Sequence, residues 1–202
     1  MVTLYDYLPS GNGYKVRLVL KDLGIPYELV EMDIKRGATR TPEYLAKNPN
    51  GRIPLLEVPG RGHLPESHAI IEFLAEGSRL VPTDPWQRAQ MRQWLCFEQY
   101  NLEPNIGTAR FWLHSMKRTP EELGAALTEK QTKGREALAV LEQGLKAGPF
   151  LLGAQYSLAD IGLYAYTHVS ADAGIPLDPY PGIRAWIARI EAEPRWAPIT
   201  AR

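Results

Sequence analysis

The chain contains a single cysteine, Cys96, in 202 residues. One thiol cannot close an internal disulfide, and a reducing, cytoplasmic setting fits. An excess of either charge is also missing, since 23 Lys and Arg balance 23 Asp and Glu. A net charge of zero gives no electrostatic basis for nucleic acid or an anionic membrane as partner. No apolar run approaches the roughly 20 residues of a spanning helix. Met1 to Leu8 has neither the basic flank nor the apolar core of a signal peptide. The four histidines, His63, His68, His114 and His168, lack metal-ligand spacing, so no metal is expected. There is no G-x-S-x-G elbow, and no GK[ST] follows Gly11-Asn12-Gly13, which removes the hydrolase and phosphate-loop readings. Repeats and low-complexity tracts are absent as well.

What is present falls into two halves with different patterns. The first is written in short units. Val2 to Tyr7 reads as a strand with Val2 and Leu4 on one face, and Gly11-Asn12-Gly13 reads as a turn. Val16, Val19, Leu20 and Leu23 then recur at helical spacing, Gly24 ends the helix, and Pro26 cannot extend it. Tyr27 to Met32 is a second strand, and a strand, helix and strand this close imply a parallel βαβ pair. A polar stretch, Lys35 to Asn50, holds a short helix around Pro42 to Lys47. Leu55 to Val58, a turn at Pro59-Gly60-Arg61-Gly62 and a return strand at His63-Leu64 make a hairpin. Ser67 starts a helix with Ile70, Ile71 and Leu74 on its apolar face.

After residues 79–85, read as a linker for the prolines in Val81-Pro82-Thr83-Asp84-Pro85, the pattern turns helical almost to residue 202. Met91, Trp94, Leu95 and Glu98 share a helix face, and Pro104 is placed to bend or interrupt that element. Thr119-Pro120-Glu121-Glu122 opens another helix with an N-cap, a proline at N1 and two acids. Leu138, Leu141 and Leu145 line its later part. Ser157-Leu158-Ala159-Asp160 is a capping box with Asp in place of Glu. Ile183, Trp186, Ile187 and Ile190 mark a last helix. The architecture expected is a βαβ-ββα α/β unit over residues 1–78, then an all-α unit over 86–202.

Four segments in this order resemble the glutathione S-transferase superfamily over essentially the whole chain: Ser10-Gly11-Asn12-Gly13-Tyr14-Lys15-Val16-Arg17, Asn48-Pro49-Asn50-Gly51-Arg52-Ile53-Pro54, Pro65-Glu66-Ser67-His68-Ala69-Ile70 and Ser157-Leu158-Ala159-Asp160. The resemblance is to bacterial, theta- or nu-like members with a Ser or Asn sulfur site. It implies a thioredoxin-like N-terminal domain that binds glutathione, a helical C-terminal domain and a homodimer. Unpaired N–H groups and the positive dipole end at a helix start stabilise a thiolate. The resemblance makes Ser10 and Asn12 the catalytic candidates, Ser10 first, with Tyr7 as a rival sulfur donor. The plain alternative is that Ser10 is only an N-cap.

The same resemblance implies a cis peptide before Pro54, main-chain pairing of Ile53 with the cysteinyl part of glutathione, and Arg52 facing a glutathione carboxylate. Ser67, expected as the N-cap of the third helix, suits the γ-glutamyl carboxylate, and Glu66 suits the neighbouring ammonium. Ser157 and Asp160 are expected to stabilise the fold, not to act. Cys96, beside Trp94 and Phe97, reads as a buried inert thiol. Phe97, Tyr100, Arg110, Phe111, Trp112 and His114 are candidates to line an acceptor pocket. The function expected is conjugation of glutathione to a small apolar electrophile. The alternatives are a glutathione-dependent disulfide or peroxide reductase and a glutathione-binding protein without turnover. A maleylacetoacetate isomerase fits less well, because Ser10-Gly11-Asn12 stands where zeta-like members carry Ser-Ser-Cys.

Overall fold

Alternation along Val2–Asp6 (β1) sends Leu4 and Asp6 to one face of the sheet, both fully buried, and Tyr5 to the other. β1 pairs in parallel with Tyr27–Glu31 (β2) and antiparallel with Leu55–Val58 (β3). β3 pairs antiparallel with Gly62–Pro65 (β4), which gives the strand order β2-β1-β3-β4. Gly11–Asp22 (α1) and Ser67–Ala75 (α3) pack together, burying Val16, Val19, Leu20, Ile70 and Ile71 with Leu4 and Leu56. Pro42–Lys47 (α2) lies in the β2–β3 connection, where Met32, Tyr44 and Leu55 form a second small core with Tyr5 and Ile53. This is the expected thioredoxin-like βαβ-ββα arrangement.

The structure, a computed structural model, describes residues 1–201. It divides into two units, one comprising residues 1–78 with the segment from Pro194 onward, the other Arg79–Glu193. The C-terminal segment therefore groups with the first unit, not with a helical domain reaching 202. The link is polar: Arg17 Nη1 donates to the carbonyls of Ile199 at 2.8 Å and Ala201 at 2.7 Å, and the Tyr14 hydroxyl donates to Ala197 O at 2.6 Å. The expected linker belongs to the second unit. Leu80 and Val81 are buried, and Leu158 N donates to Leu80 O at 3.0 Å.

In the second unit, Pro85–Phe97 (α4) starts on Asp84, whose Oδ1 accepts from Gln87 N at 2.9 Å. Wider π-helical turns follow over Glu98–Gly107, carrying Pro104. The proline thus falls inside a change of winding, where its missing N–H interrupts the regular i→i−4 ladder. The rod continues as Thr108–Arg110 (α5) and a last π-helical stretch, Phe111–Ser115. Pro120–Gly144 (α6) begins with a capping box in which Thr119 and Glu122 exchange bonds. It breaks direction at Gly124, whose φ of 50° and ψ of −131° are open only to glycine. Leu158–Thr167 (α7) and Pro181–Glu191 (α8) complete the unit. Cys96 is exposed, contrary to the buried thiol expected, because Met91 and Leu95 take the inward positions of α4 and leave the next residue about 100° away.

Candidate active site

The loop from β1 to α1 is held from below by a buried ion pair. Asp6 and Arg17 are both buried, with Arg17 Nε 3.0 Å from Asp6 Oδ2. Burial pushes the Asp6 carboxyl up to about 7, against the lowering effect of the Arg17 guanidinium. Asp6 Oδ1 also accepts from Tyr7 N at 2.7 Å, and Arg17 Nη2 donates to Leu8 O at 2.6 Å. The carboxylate lies so close to α1 that a Cβ on Gly13 would sit 1.6 Å from Asp6 Oδ1. Gly13 is therefore required by the approach of a strand side chain. The Gly11-Asn12-Gly13 turn read from sequence is corrected accordingly, because these residues form the first turn of α1.

Ser10 is the N-cap of α1, in extended conformation, with its Oγ accepting from Gly13 N at 3.5 Å. Its hydroxyl hydrogen is not used in that bond and can be offered to a sulfur. Asn12, one residue into the helix, turns its Oδ1 toward Lys15 Nζ at 2.9 Å and the Ser67 hydroxyl at 3.4 Å. The first and third sequence segments thus meet, through Asn12 and Ser67. Lys15, fully buried, also approaches His68 Nε2 at 3.3 Å. Neither Lys15 nor His68 stands out as a site residue in the sequence. The available signal was the i, i+3 spacing of Asn12 and Lys15 on one helix.

Helix α3 departs from expectation at its start. Ser67 is its first residue, and Glu66, not Ser67, is the N-cap. Glu66 has a φ of 72°, costly for a residue with a Cβ. Its side chain is exposed and makes no capping bond. The early N–H groups of α3 are thus left without a capping side chain from Glu66, beside an exposed carboxylate. That fits a ligand bearing a carboxylate next to an ammonium.

The Ile53–Pro54 peptide is cis. The preceding carbonyl, Arg52 O, is pinned by the Tyr44 hydroxyl at 2.7 Å and Asn48 Nδ2 at 2.9 Å, while the Arg52 side chain is exposed. Tyr7 is half-buried in the β1–α1 loop, and its carbonyl accepts from Ser10 N at 2.7 Å. Tyr5 is engaged elsewhere, donating to Glu57 Oε2 at 2.7 Å and accepting from Lys47. Of the acceptor-pocket candidates, the buried Arg110 is engaged with the partly exposed Asp172 at 3.1 Å, and Tyr100 is 81 % exposed. Among the described residues, no helix is long and apolar enough to cross a membrane, and no group of three His, Cys, Asp or Glu could hold a metal ion.

Comparison with known proteins covers both units. Residues 1–76 match the glutathione S-transferase N-terminal domain, and residues 124–189 match the corresponding C-terminal domain. The disulfide-bond oxidoreductase YfcG of Escherichia coli is 31% identical over 96% of this chain and 92% of its own length. The crystal structure of a glutathione S-transferase from Pseudomonas fluorescens superposes with a TM-score of 0.96, at 45% identity over 99% of both chains. A glutathione transferase from Burkholderia graminis, with two glutathione molecules bound per subunit, gives a TM-score of 0.84 at 30% identity, covering 96% of this chain and 85% of that one. The chain accordingly belongs to the glutathione S-transferase family of glutathione-dependent enzymes.

Proposed function

We propose that the chain is a glutathione transferase that conjugates glutathione to a small apolar electrophile and acts as a homodimer in the cytoplasm. The observation that carries the reading is the meeting of Ser10, Asn12 and Ser67 at the adjoining N-terminal ends of α1 and α3. The backbone N–H groups at the start of α3, that of Ser67 among them, take the γ-glutamyl carboxylate, and the exposed Glu66 takes the ammonium. Ile53, before the cis peptide, pairs with the cysteinyl main chain, and Arg52 faces a carboxylate at the other end. The sulfur then lies at the start of α1, where Ser10 and Asn12 donate to it and the helix dipole favours the thiolate. Lowering the thiol pKa raises the thiolate fraction more than it weakens the nucleophile. In the reaction a sulfur–carbon bond forms at the electrophile and its leaving group departs with the electron pair.

A second reading, reduction of a disulfide with glutathione as reductant, is favoured by the likeness to a disulfide-bond oxidoreductase and by a sulfur loop that carries Ser10 and Asn12 but no cysteine. Turnover of a halogenated aromatic compared with turnover of a disulfide separates the two. Ser10→Ala and Asn12→Ala are each expected to slow whichever reaction is native by roughly 10²-fold, the usual cost of losing one donor to a developing or stabilised anion. If both variants left the rates and the thiol pKa of bound glutathione unchanged, the assignment of the sulfur site would be wrong.

A further inference from the structure

Lys15 is fully buried, yet it carries an ammonium. Packing alone is better served by Leu or Met, because a buried charge costs free energy unless its partners compensate. Two of its partners lie at the proposed sulfur site. Nζ is 2.9 Å from Asn12 Oδ1 and 3.3 Å from His68 Nε2. An ammonium has three donors and no acceptor, so it can face only the oxygen of a carboxamide. The Ser67 hydroxyl, 3.4 Å from the same Oδ1, adds a second donor there. A carbonyl oxygen has two lone pairs, and both are now taken. A flip of the Asn12 amide would set its NH2 against the ammonium, donor against donor. Only the Nδ2 hydrogens are left for a ligand.

We infer that Lys15 is a positioning residue: it locks the Asn12 carboxamide with its NH2 toward the glutathione sulfur. The inference rests on the proposed glutathione site and adds to it the device that sets the polarity of Asn12. His68 completes the device by accepting from Nζ, which requires its Nε2 lone pair and places the proton of a neutral ring on Nδ1.

The test measures the thiolate absorbance of protein-bound glutathione against pH, with glutathione affinity by calorimetry, for the wild type, Lys15→Met, Asn12→Ala and the double variant. Lys15→Met is expected to raise the bound thiol pKa by about one unit and to lower kcat roughly tenfold at neutral pH. Glutathione Kd changes far less, because the contacts of Ser67, Glu66 and Ile53 remain. The double variant is expected to match Asn12→Ala, since residues acting through one another are not additive. An unchanged thiol pKa in Lys15→Met, or effects that sum in the double variant, overturns the inference while leaving the glutathione site intact. Failure of the wild type to bind glutathione overturns both. Should Lys15→Met not fold, the wild type decides by nuclear magnetic resonance. The Asn12 side-chain NH2 signals are expected to move on adding glutathione and to move less with S-methylglutathione. No response of those signals to glutathione rejects the inference.

Discussion

Helix α7 and helix α3 both begin with a buried serine near an acidic residue, yet one start is closed and the other open. At α7, Ser157 is the N-cap and Asp160 sits three residues on. The Asp160 carboxylate accepts from Ser157 N at 3.0 Å, Ser157 Oγ at 3.1 Å, Leu151 N at 3.0 Å and Trp186 Nε1 at 2.9 Å, so it ties α7 to a loop and to α8. Helix α8 is closed in the same manner by a distant carboxylate, Glu142, whose oxygens accept from Gly182 N and Ile183 N at 2.8 Å each. At α3 the acid is one residue earlier than the serine. As N-cap, with its backbone at positive φ, Glu66 leaves its side chain in solvent. The difference is one of register. An acid at N3 can fold back on the helix start, whereas an acid at the N-cap here does not. Where the protein supplies its own carboxylate it gains stability, and where it withholds one the helix start stays open, as the proposed glutathione site requires.

The comparison can be broken from either side. Asp160→Ala strands several buried donors at once and is expected to cost about 3–5 kcal/mol. Denaturant unfolding checks this, and a loss under about 1 kcal/mol would mean α7 is held by something else. Arg17→Met leaves the Asp6 carboxyl without its partner and releases Leu8 and the C-terminal segment. It is expected to cost about 3 kcal/mol and, unlike Asp160→Ala, to disturb the proposed sulfur loop directly. Chemical denaturation together with glutathione titration checks both effects. Ser67→Ala at the open start is expected to weaken glutathione binding roughly tenfold, a loss of about 1.4 kcal/mol. Stability should move by less than about 1 kcal/mol. A large stability loss with unchanged affinity would put α3 in the same class as α7.

The smallest effect expected is in the pH dependence. Burial raises Asp6 to about 7 and Asp160 to about 6 from an ordinary 3.8. A carboxyl raised in the folded state binds more protons folded than unfolded, so its contribution is fully present below the ordinary value and is lost as pH rises through 6 to 7. His168, lowered to about 4 by burial, acts in the opposite sense. Its contribution is present above its ordinary 6.5 and is lost as pH falls through 4. The first unit, holding Asp6, is thus expected to gain stability on going from pH 8 to pH 5. In the second unit the gain from Asp160 is opposed by His168 over the acid part of that range. Asp6→Asn should flatten the melting temperature against pH by a few degrees, as calorimetric scans would show. An unchanged profile would mean that Asp6 does not titrate as its burial implies.

Much of this was legible in the chain. The period-two run at Val2, the helical spacing of Val16, Val19 and Leu20, and the capping signals at Thr119 and Ser157 each state a local preference strong enough to survive folding. The misreadings have one cause. Gly13 looks like a turn residue until the Asp6 carboxylate is placed against it. Cys96 looks buried beside Trp94 and Phe97 until the rotation of α4 is known.

The sequence by itself determined the order βαβ-ββα followed by helices, the start of α7 on its capping box, and the candidates Ser10, Asn12, Arg52, Ile53, Pro54, Glu66 and Ser67. These follow from spacing within short segments, where neighbours along the chain are neighbours in space, and from resemblance. Only the tertiary structure decided that Asn12 and Ser67, 55 residues apart, share a hydrogen bond, that Lys15 reaches His68 on α3, and that the C-terminal segment joins the first unit through Arg17. Each of these depends on the distance between groups remote in sequence, and such a distance is set only when the α1–α3 layer closes on the sheet.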